Sequence, residues 1–218
     1  MRDLLVTGTD TGVGKTMIAA ALVTALRARG VRALGFKPAE TGIDSGHPPD
    51  SEVLALASGE QNVLARPLLQ LPEALAPAVA AERAGVTSDP DAIEARIRSL
   101  REAGYTVVIE GAGGVMVPLS WGYTVLDLAH ACDLDAVVVA RAGLGTLNHV
   151  AMTVMILRSH EIPIRGIVLN GRGTPPDLAE STNPAVLSRM LQGLRIVEVP
   201  HSSQAPIEAA ASIVSRLL

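Results

Sequence analysis

A doubly wound, mainly parallel α/β sheet with helices on both faces is the fold this sequence predicts, and three observations carry the prediction. Short apolar runs alternate with amphipathic, Ala/Leu-rich stretches along the chain, the pattern of strand–helix–strand units joined by right-handed crossovers. Aromatic residues make up 2% of a chain that is 48% hydrophobic. The core must therefore be built from Ala, Val, Leu and Ile, the composition of strands covered on both faces. Finally, the Gly8 loop, Lys37, Glu110 and Asn170 each stand at the end of a strand-like run, where open α/β sheets bind their ligands.

The elements follow in order. Leu4 to Thr7 is a buried strand ending at Gly8, and Thr16 to Arg29 is an amphipathic helix closed by Gly30. Ala33 to Phe36 is a second strand. Pro38 to Pro49 reads as loop, and Glu52 to Ala57 as a short helix. Pro67, Pro72 and Pro77 make Val63 to Gly85 a loop with short helical pieces. Pro90 to Ala103 is a helix with its charges on one side. Thr106 to Ile109 is a strand ending at Glu110, and Gly111 to Pro118 is a Gly-rich loop. Val125–Cys132 (helix), Ala136–Ala140 (strand), Thr146–His160 (helix) and Ile164–Leu169 (strand, ending at Asn170) continue the alternation. Pro184–Leu191 (helix), Ile196–Val199 (strand) and Pro206–Leu218 (helix) complete it. No repeat or linker interrupts the 218 residues, which are expected to form a single domain with a full two-sided core.

Composition narrows the function. A net charge of −4 and few aromatics argue against a nucleic-acid partner, which calls for basic surface and stacking rings. Cys132 is the only cysteine. A disulfide within the chain is excluded, and its apolar surroundings suggest a buried, inert thiol. Met1-Arg2-Asp3 leads straight into a strand, unlike a signal peptide. No apolar run approaches the roughly 18 residues of a membrane span. A cytoplasmic protein without a membrane partner is expected.

The segment Gly8-Thr9-Asp10-Thr11-Gly12-Val13-Gly14-Lys15-Thr16 lies between a strand and a helix. Glycines there let backbone N–H groups curl around phosphate oxygens, and the helix N-terminus adds positive potential. Lys15 can reach the β- and γ-phosphates of a nucleotide, and the Thr16 hydroxyl can hold Mg²⁺. The strict P-loop pattern asks for glycine where Thr9 stands; here Gly8 is one residue too early. The alternative is an ordinary Gly-rich turn, which the GKT triplet at a helix start argues against. Glu110, followed by Gly111-Ala112-Gly113-Gly114, is an acid ending a buried strand beside that loop, where a Mg²⁺ carboxylate belongs. Taken alone it could equally be a solvated strand-end carboxylate.

Gly8–Thr16, Lys37-Pro38 with Thr41-Gly42, Glu110–Gly114 with Val117-Pro118-Leu119, and Gly145-Thr146-Leu147-Asn148-His149 together resemble the ordered signature of the dethiobiotin synthetase family. The resemblance runs from residue 4 to about residue 200. It implies a ligase that uses ATP, Mg²⁺ and CO₂ (or bicarbonate) to close a cyclic urea on 7,8-diaminononanoate in biotin biosynthesis. The family forms a carbamate on one amine, activates it as a carbamic–phosphoric anhydride and closes the ring with the second amine.

Catalytic roles fall by that resemblance on Lys37, Lys15 and Thr11. Nucleotide contacts fall on Gly12, Val13, Gly14, Lys15, Thr16, Met17, Glu110, Asn170, Val199, Pro200 and His201. Substrate contacts fall on Thr41, Gly113, Gly114, Val115, Thr146, Leu147 and Asn148. Metal ligands are Thr16, Glu110 and one further carboxylate, Asp50 or, two residues on, Glu52. The Gly145–His149 segment implies a homodimer whose substrate site is shared across the interface.

Each residue also has a plainer reading. Lys37 could be a solvated lysine just past a strand, Asp50 a helix N-terminal acid, Asn170 a turn residue before Gly171, and Thr146 or Asn148 an N-cap. Val79 stands where the family often shows His, and His201 where an aromatic is expected. Two other functions compete. A cobyrinate-type amidoligase would need a glutaminase cysteine, and Cys132 is poorly placed for that. A partition-type switch ATPase carries a second lysine early in its phosphate loop, where this chain has Thr9 and Asp10, and a surface-binding helix, whereas Pro206–Leu218 has only Arg216 as a base.

Overall fold

The apolar runs assemble into a parallel sheet in the computed structural model, which describes residues 2–43, 46, 48–59, 65–201 and 206–218. Strands β1 (Leu4–Gly8), β2 (Ala33–Phe36), β5 (Thr106–Gly114), β8 (Asp135–Arg141), β9 (Ile164–Arg172) and β10 (Ile196–Pro200) pair in the order β10-β9-β8-β1-β5-β2. Every neighbouring pair is parallel. Between them run helices α1 (Lys15–Ala28), α2 (Asp50–Ser58), α3 (Pro77–Ala84), α4 (Pro90–Glu102), α5 (Val125–Ala131), α6 (Thr146–Ser159), α7 (Leu178–Met190) and α8 (Pro206–Val214). Two short pairs stand apart from the sheet, parallel β3 (Ala39–Thr41) with β4 (Leu69–Leu71) and antiparallel β6 (Pro118–Ser120) with β7 (Tyr123–Thr124).

Period-two alternation divides each strand between two cores. Leu5, Val107, Ile109 and Val138 point to one face, where they meet Ile93, Ile97 and Leu100 of α4, Val125 and Leu128 of α5, Val150, Val154 and Leu157 of α6 and Leu187 of α7. Leu4, Val6, Val108, Val137 and Val139 point to the other, against Ile18, Leu22 and Leu26 of α1, Leu54 of α2 and Ala210 and Val214 of α8. Each fully buried aliphatic side chain contributes roughly 1.5–3 kcal/mol. That frame lets the sheet tolerate the few charges it buries. Cys132 is buried beside α5, and burial pushes its thiol up to about 11, which fits the inert role expected of it.

The structure departs from the sequence pattern at four places. β5 and β9 run past Glu110 and Asn170, so Gly111–Gly114 is strand rather than loop. The segments expected as loop contain β3 and β4, whose partners lie far apart in sequence. The β6–β7 pair is too short to show in the sequence at all. Helix α7 begins at Leu178 rather than at Pro184, because Asp177 and Glu180 form a reciprocal capping box ahead of the proline. Parts of the expected loops, residues 44, 45, 47, 63 and 64, lie outside the described residues.

Candidate active site

Strand register brings the polar strand ends together. Phe36 pairs with Ile109, so Lys37, the first residue past β2, stands level with Glu110 of β5. Gly8 pairs with Gly114 on one side and Val139 on the other, which sets the phosphate loop against the glycines of β5. Asn170 pairs with Arg141 and with Val199. The resulting crevice lies at the carboxyl edge of β1, where the chain order reverses.

The centre of the crevice is a cluster of charges. Glu110 is 1% exposed and Lys37 8%, so neither is the solvated residue that the plainer reading supposes. Lys37 Nζ donates to Glu110 Oε1 at 2.9 Å and to Asp50 Oδ2. Thr16 Oγ1 donates to the same Glu110 oxygen at 2.9 Å. The second oxygen, Oε2, is buried without a partner among the described residues. Lys15 Nζ donates to the Asp10 carbonyl at 3.0 Å. Burial holds the Lys15 ammonium below the ordinary lysine range, and the nearby Lys37 charge adds to this against the pull of Glu110. Burial also opposes charge on Lys37, but Glu110 and Asp50 outweigh it and hold that ammonium above the ordinary range.

This donor set fits a small divalent cation. Glu110 and Asp50 are hard oxygen groups that share the Lys37 ammonium, Thr16 adds a hydroxyl bonded to Glu110, and Glu110 carries a buried oxygen that nothing among the described residues satisfies. Mg²⁺ asks for little more from protein, since it keeps waters and takes the rest of its shell from phosphates. Of the two candidate carboxylates, Asp50 meets Lys37, whereas Glu52 is exposed on the next part of α2.

The glycines of the loop are required by space. A Cβ on Gly8 would stand 2.6 Å from the Asp10 carbonyl oxygen, 2.9 Å from that of Gly113 and 3.0 Å from Lys15 Nζ. Gly14 has φ +91, and a Cβ there would collide with the Asn170 amide. That amide donates to the Val13 carbonyl at 2.9 Å and so ties the phosphate loop to β9. Thr11 is exposed and faces Gly113 across the crevice. Gly14 precedes α1 and Gly145 precedes α6 as N-cap, each with left-handed backbone and neither helix with a side-chain cap. The Thr146 N–H at the start of α6 donates to the Gly143 carbonyl at 3.4 Å; no side chain takes up the N–H groups that follow in either helix, an arrangement that suits anions.

Around a cavity of about 220 Å³ stand Met17, Asn170, Val199, Pro200 and His201. All five are among the nucleotide contacts that the resemblance implies. Gly171, Pro206, Ala209 and Ala210 join them there; the last three read in sequence only as helix. Thr41 donates to the Leu75 carbonyl at 2.8 Å, and Gly113 and Gly114 line the end of β5. Val115 turns its side chain into the core, and its carbonyl accepts from the Leu126 N–H at 2.9 Å. Thr146 is 5% exposed and its hydroxyl has no partner among the described residues, while Asn148 is exposed. Neither caps α6, which overturns the plainer reading of that segment. Asp10 and Arg141, paired at 2.8 Å, do not stand out in the sequence, and neither does the buried Glu40. No periodicity signals them, because each matters only through a partner remote in the chain.

A P-loop enzyme that handles a nucleotide beside a carboxylate–lysine centre is what this fold and site define. A family model described as an AAA domain matches residues 2–208. The chain is 47% identical to the ATP-dependent dethiobiotin synthetase BioD of Anaeromyxobacter dehalogenans, covering 87% of this chain and 86% of that protein. It is 42% identical to the protein of the same name from Haloferax mediterranei, over 99% of this chain and 91% of that one. For the Bacillus subtilis protein the figures are 37%, 87% and 83%. The chain belongs to the family of ATP-dependent dethiobiotin synthetases, which are ATP-dependent ligases. Among solved structures, the septum site-determining protein MinD of Pyrococcus horikoshii, complexed with Mg-ADP, superimposes with a TM-score of 0.61. It is 18% identical, covering 100% of this chain and 94% of that one, and so shares the fold alone.

Proposed function

We propose that the chain closes the cyclic urea of dethiobiotin on 7,8-diaminononanoate, using CO₂ and Mg·ATP, as a homodimeric cytoplasmic enzyme. The observation that carries this is the convergence of Lys15, Lys37, Thr16, Asp50 and Glu110 at the ends of β1, β2 and β5. One amine adds to CO₂ and loses a proton, giving a carbamate. A carbamate oxygen attacks the γ-phosphorus of ATP, ADP leaves, and a carbamic–phosphoric anhydride remains. The second amine attacks the carbonyl carbon, the ring closes and inorganic phosphate departs.

Bringing a carbamate against a triphosphate sets anion against anion, so aimed cations supply most of the acceleration. Lys15 turns from the Asp10 carbonyl to the phosphates, and Lys37 faces the carbamate and γ-phosphate from the opposite side. Mg²⁺, held by Thr16, Glu110 and Asp50, would neutralise phosphate charge. Thr11 and Thr41 supply hydroxyl groups on the two sides of the crevice, and Gly113, Gly114 and the Val115 backbone allow close approach of the diamine. Phosphate release from ATP should require both the diamine and bicarbonate, each omitted in turn. Equal release without the diamine would sink the ligase reading and favour a switch ATPase.

The diamine's carboxylate tail needs an anchor away from its amines. The start of α6 at Gly145–Asn148, which no side chain caps, supports that role, as does the Thr146 hydroxyl, which has no partner among the described residues. Leu144 beside it is 95% exposed, and Met152 and Met155 are exposed on the same helix, which supports a second subunit covering this face. A diamine lacking the carboxylate should bind far more weakly with little change in ATP affinity. Inactive Lys37→Ala and Gly145→Val proteins should regain activity when mixed, because a hybrid dimer restores one complete site. Mixed subunits that exchange but never complement would refute the shared site.

A further inference from the structure

We propose that Glu40 is a positioning residue that docks the first turn of α2 and thereby delivers Asp50 to the Lys37–Glu110 centre. Glu40 is 3% exposed in the middle of β3. Its Oε1 accepts from the Ser51 backbone N–H at 3.1 Å, and its Oε2 accepts from the Ser51 hydroxyl at 2.8 Å and from Gln70 Nε2 at 3.0 Å. All three donors are neutral. The carboxylate lies at the N-terminal end of α2, whose own N-cap, Pro49, offers no side-chain acceptor. Glu40 thus caps that helix from another element.

Ser51 is the residue after Asp50. The extended segment from Lys37 to Glu40 therefore grips two consecutive residues of α2, Asp50 through Lys37 and Ser51 through Glu40. Gln70, paired with Glu40 in the β3–β4 register, braces the clasp from the far side. Moving this carboxylate would swing the Asp50 carboxylate away from Glu110 without touching the phosphate loop. Residues that orient metal ligands in this way commonly change metal affinity by roughly 10- to 100-fold when altered.

The inference rests on the reading of Asp50 as a metal ligand, and the experiment separates the two. The affinity of the whole protein for the β,γ-imido analogue of ATP is measured by calorimetry in EDTA and in saturating Mg²⁺, for Glu40→Gln, Asp50→Asn and the double variant. Glu40→Gln should lose on the order of tenfold of the gain in affinity that Mg²⁺ confers. Its affinity in EDTA should stay unchanged. In the Asp50→Asn background the same change should cost nothing further. If Asp50→Asn leaves the Mg²⁺ gain intact, the metal role of Asp50 is wrong and the proposal goes with it. If Asp50→Asn loses the gain while Glu40→Gln keeps it, or if the two losses add, Glu40 does not act through Asp50. Should Glu40→Gln fail to fold, Ser51→Ala, which deletes one arm of the clasp, takes its place in the same cycle. A loss absent from the Asp50→Asn background then supports the clasp, and an unchanged or additive Mg²⁺ gain overturns it.

Discussion

Lys37→Ala should lower turnover by a factor on the order of 10² or more, with a milder loss of ATP affinity. The side chain does two things at one point. It pairs with the buried carboxylate of Glu110 and the part-exposed one of Asp50. In the proposed reaction it faces the charge that develops between carbamate and γ-phosphate. Removing it leaves Glu110 buried and unpaired, which costs about 3 kcal/mol when one partner of a buried ion pair is deleted. The variant should therefore melt earlier without metal, and Mg²⁺ should restore part of that loss by occupying the same oxygens. Steady-state kinetics and paired melting curves in EDTA and Mg²⁺ test this. Near-normal turnover with an early melt would reduce Lys37 to a structural counter-ion.

Gly8→Ala should all but abolish nucleotide binding, by a factor on the order of 10², although Gly8 lies outside the strict phosphate-loop pattern. Two of the three atoms that a Cβ would strike are backbone oxygens, those of Asp10 and Gly113. Neither can rotate aside. Relief requires the phosphate loop and the end of β5 to part, which moves Lys15 and the Asp10 carbonyl that holds it. Overpacking of this kind destabilises by about 1–3 kcal/mol, so the fold should survive and calorimetry with ATP can be read. The same substitution at Gly12, which has open space around it, should be milder and reflect only its positive φ. Unchanged ATP affinity in Gly8→Ala would show that the loop tolerates the parting.

Elements set by local pattern are legible in the sequence. Apolar runs place all six strands of the sheet, because a strand covered on both faces needs no partner to be recognised. The capping box at Asp177 is legible in principle too, yet Pro184 draws the expected helix start toward itself, since proline marks a first turn more conspicuously than a paired Asp and Glu do. The β3–β4 pair is not legible: three-residue strands carry no period, and their pairing spans about thirty residues.

The site divides in the same way. By itself the sequence determined the sheet, the phosphate loop on its helix, the placing of Lys37 just past β2 and of Glu110 and Asn170 on β5 and β9, and the family to which the ordered motifs point. Those follow from neighbours in the chain, where spacing and chemistry can be read together. Only the tertiary structure decided that Asp50 rather than Glu52 meets Lys37, that Glu110 is buried with one oxygen unsatisfied among the described residues, that Val115 turns inward, and that Glu40 bonds to the start of α2. Each depends on two segments far apart in sequence meeting at one point. Strand register and helix docking, which no local pattern encodes, set where that point lies.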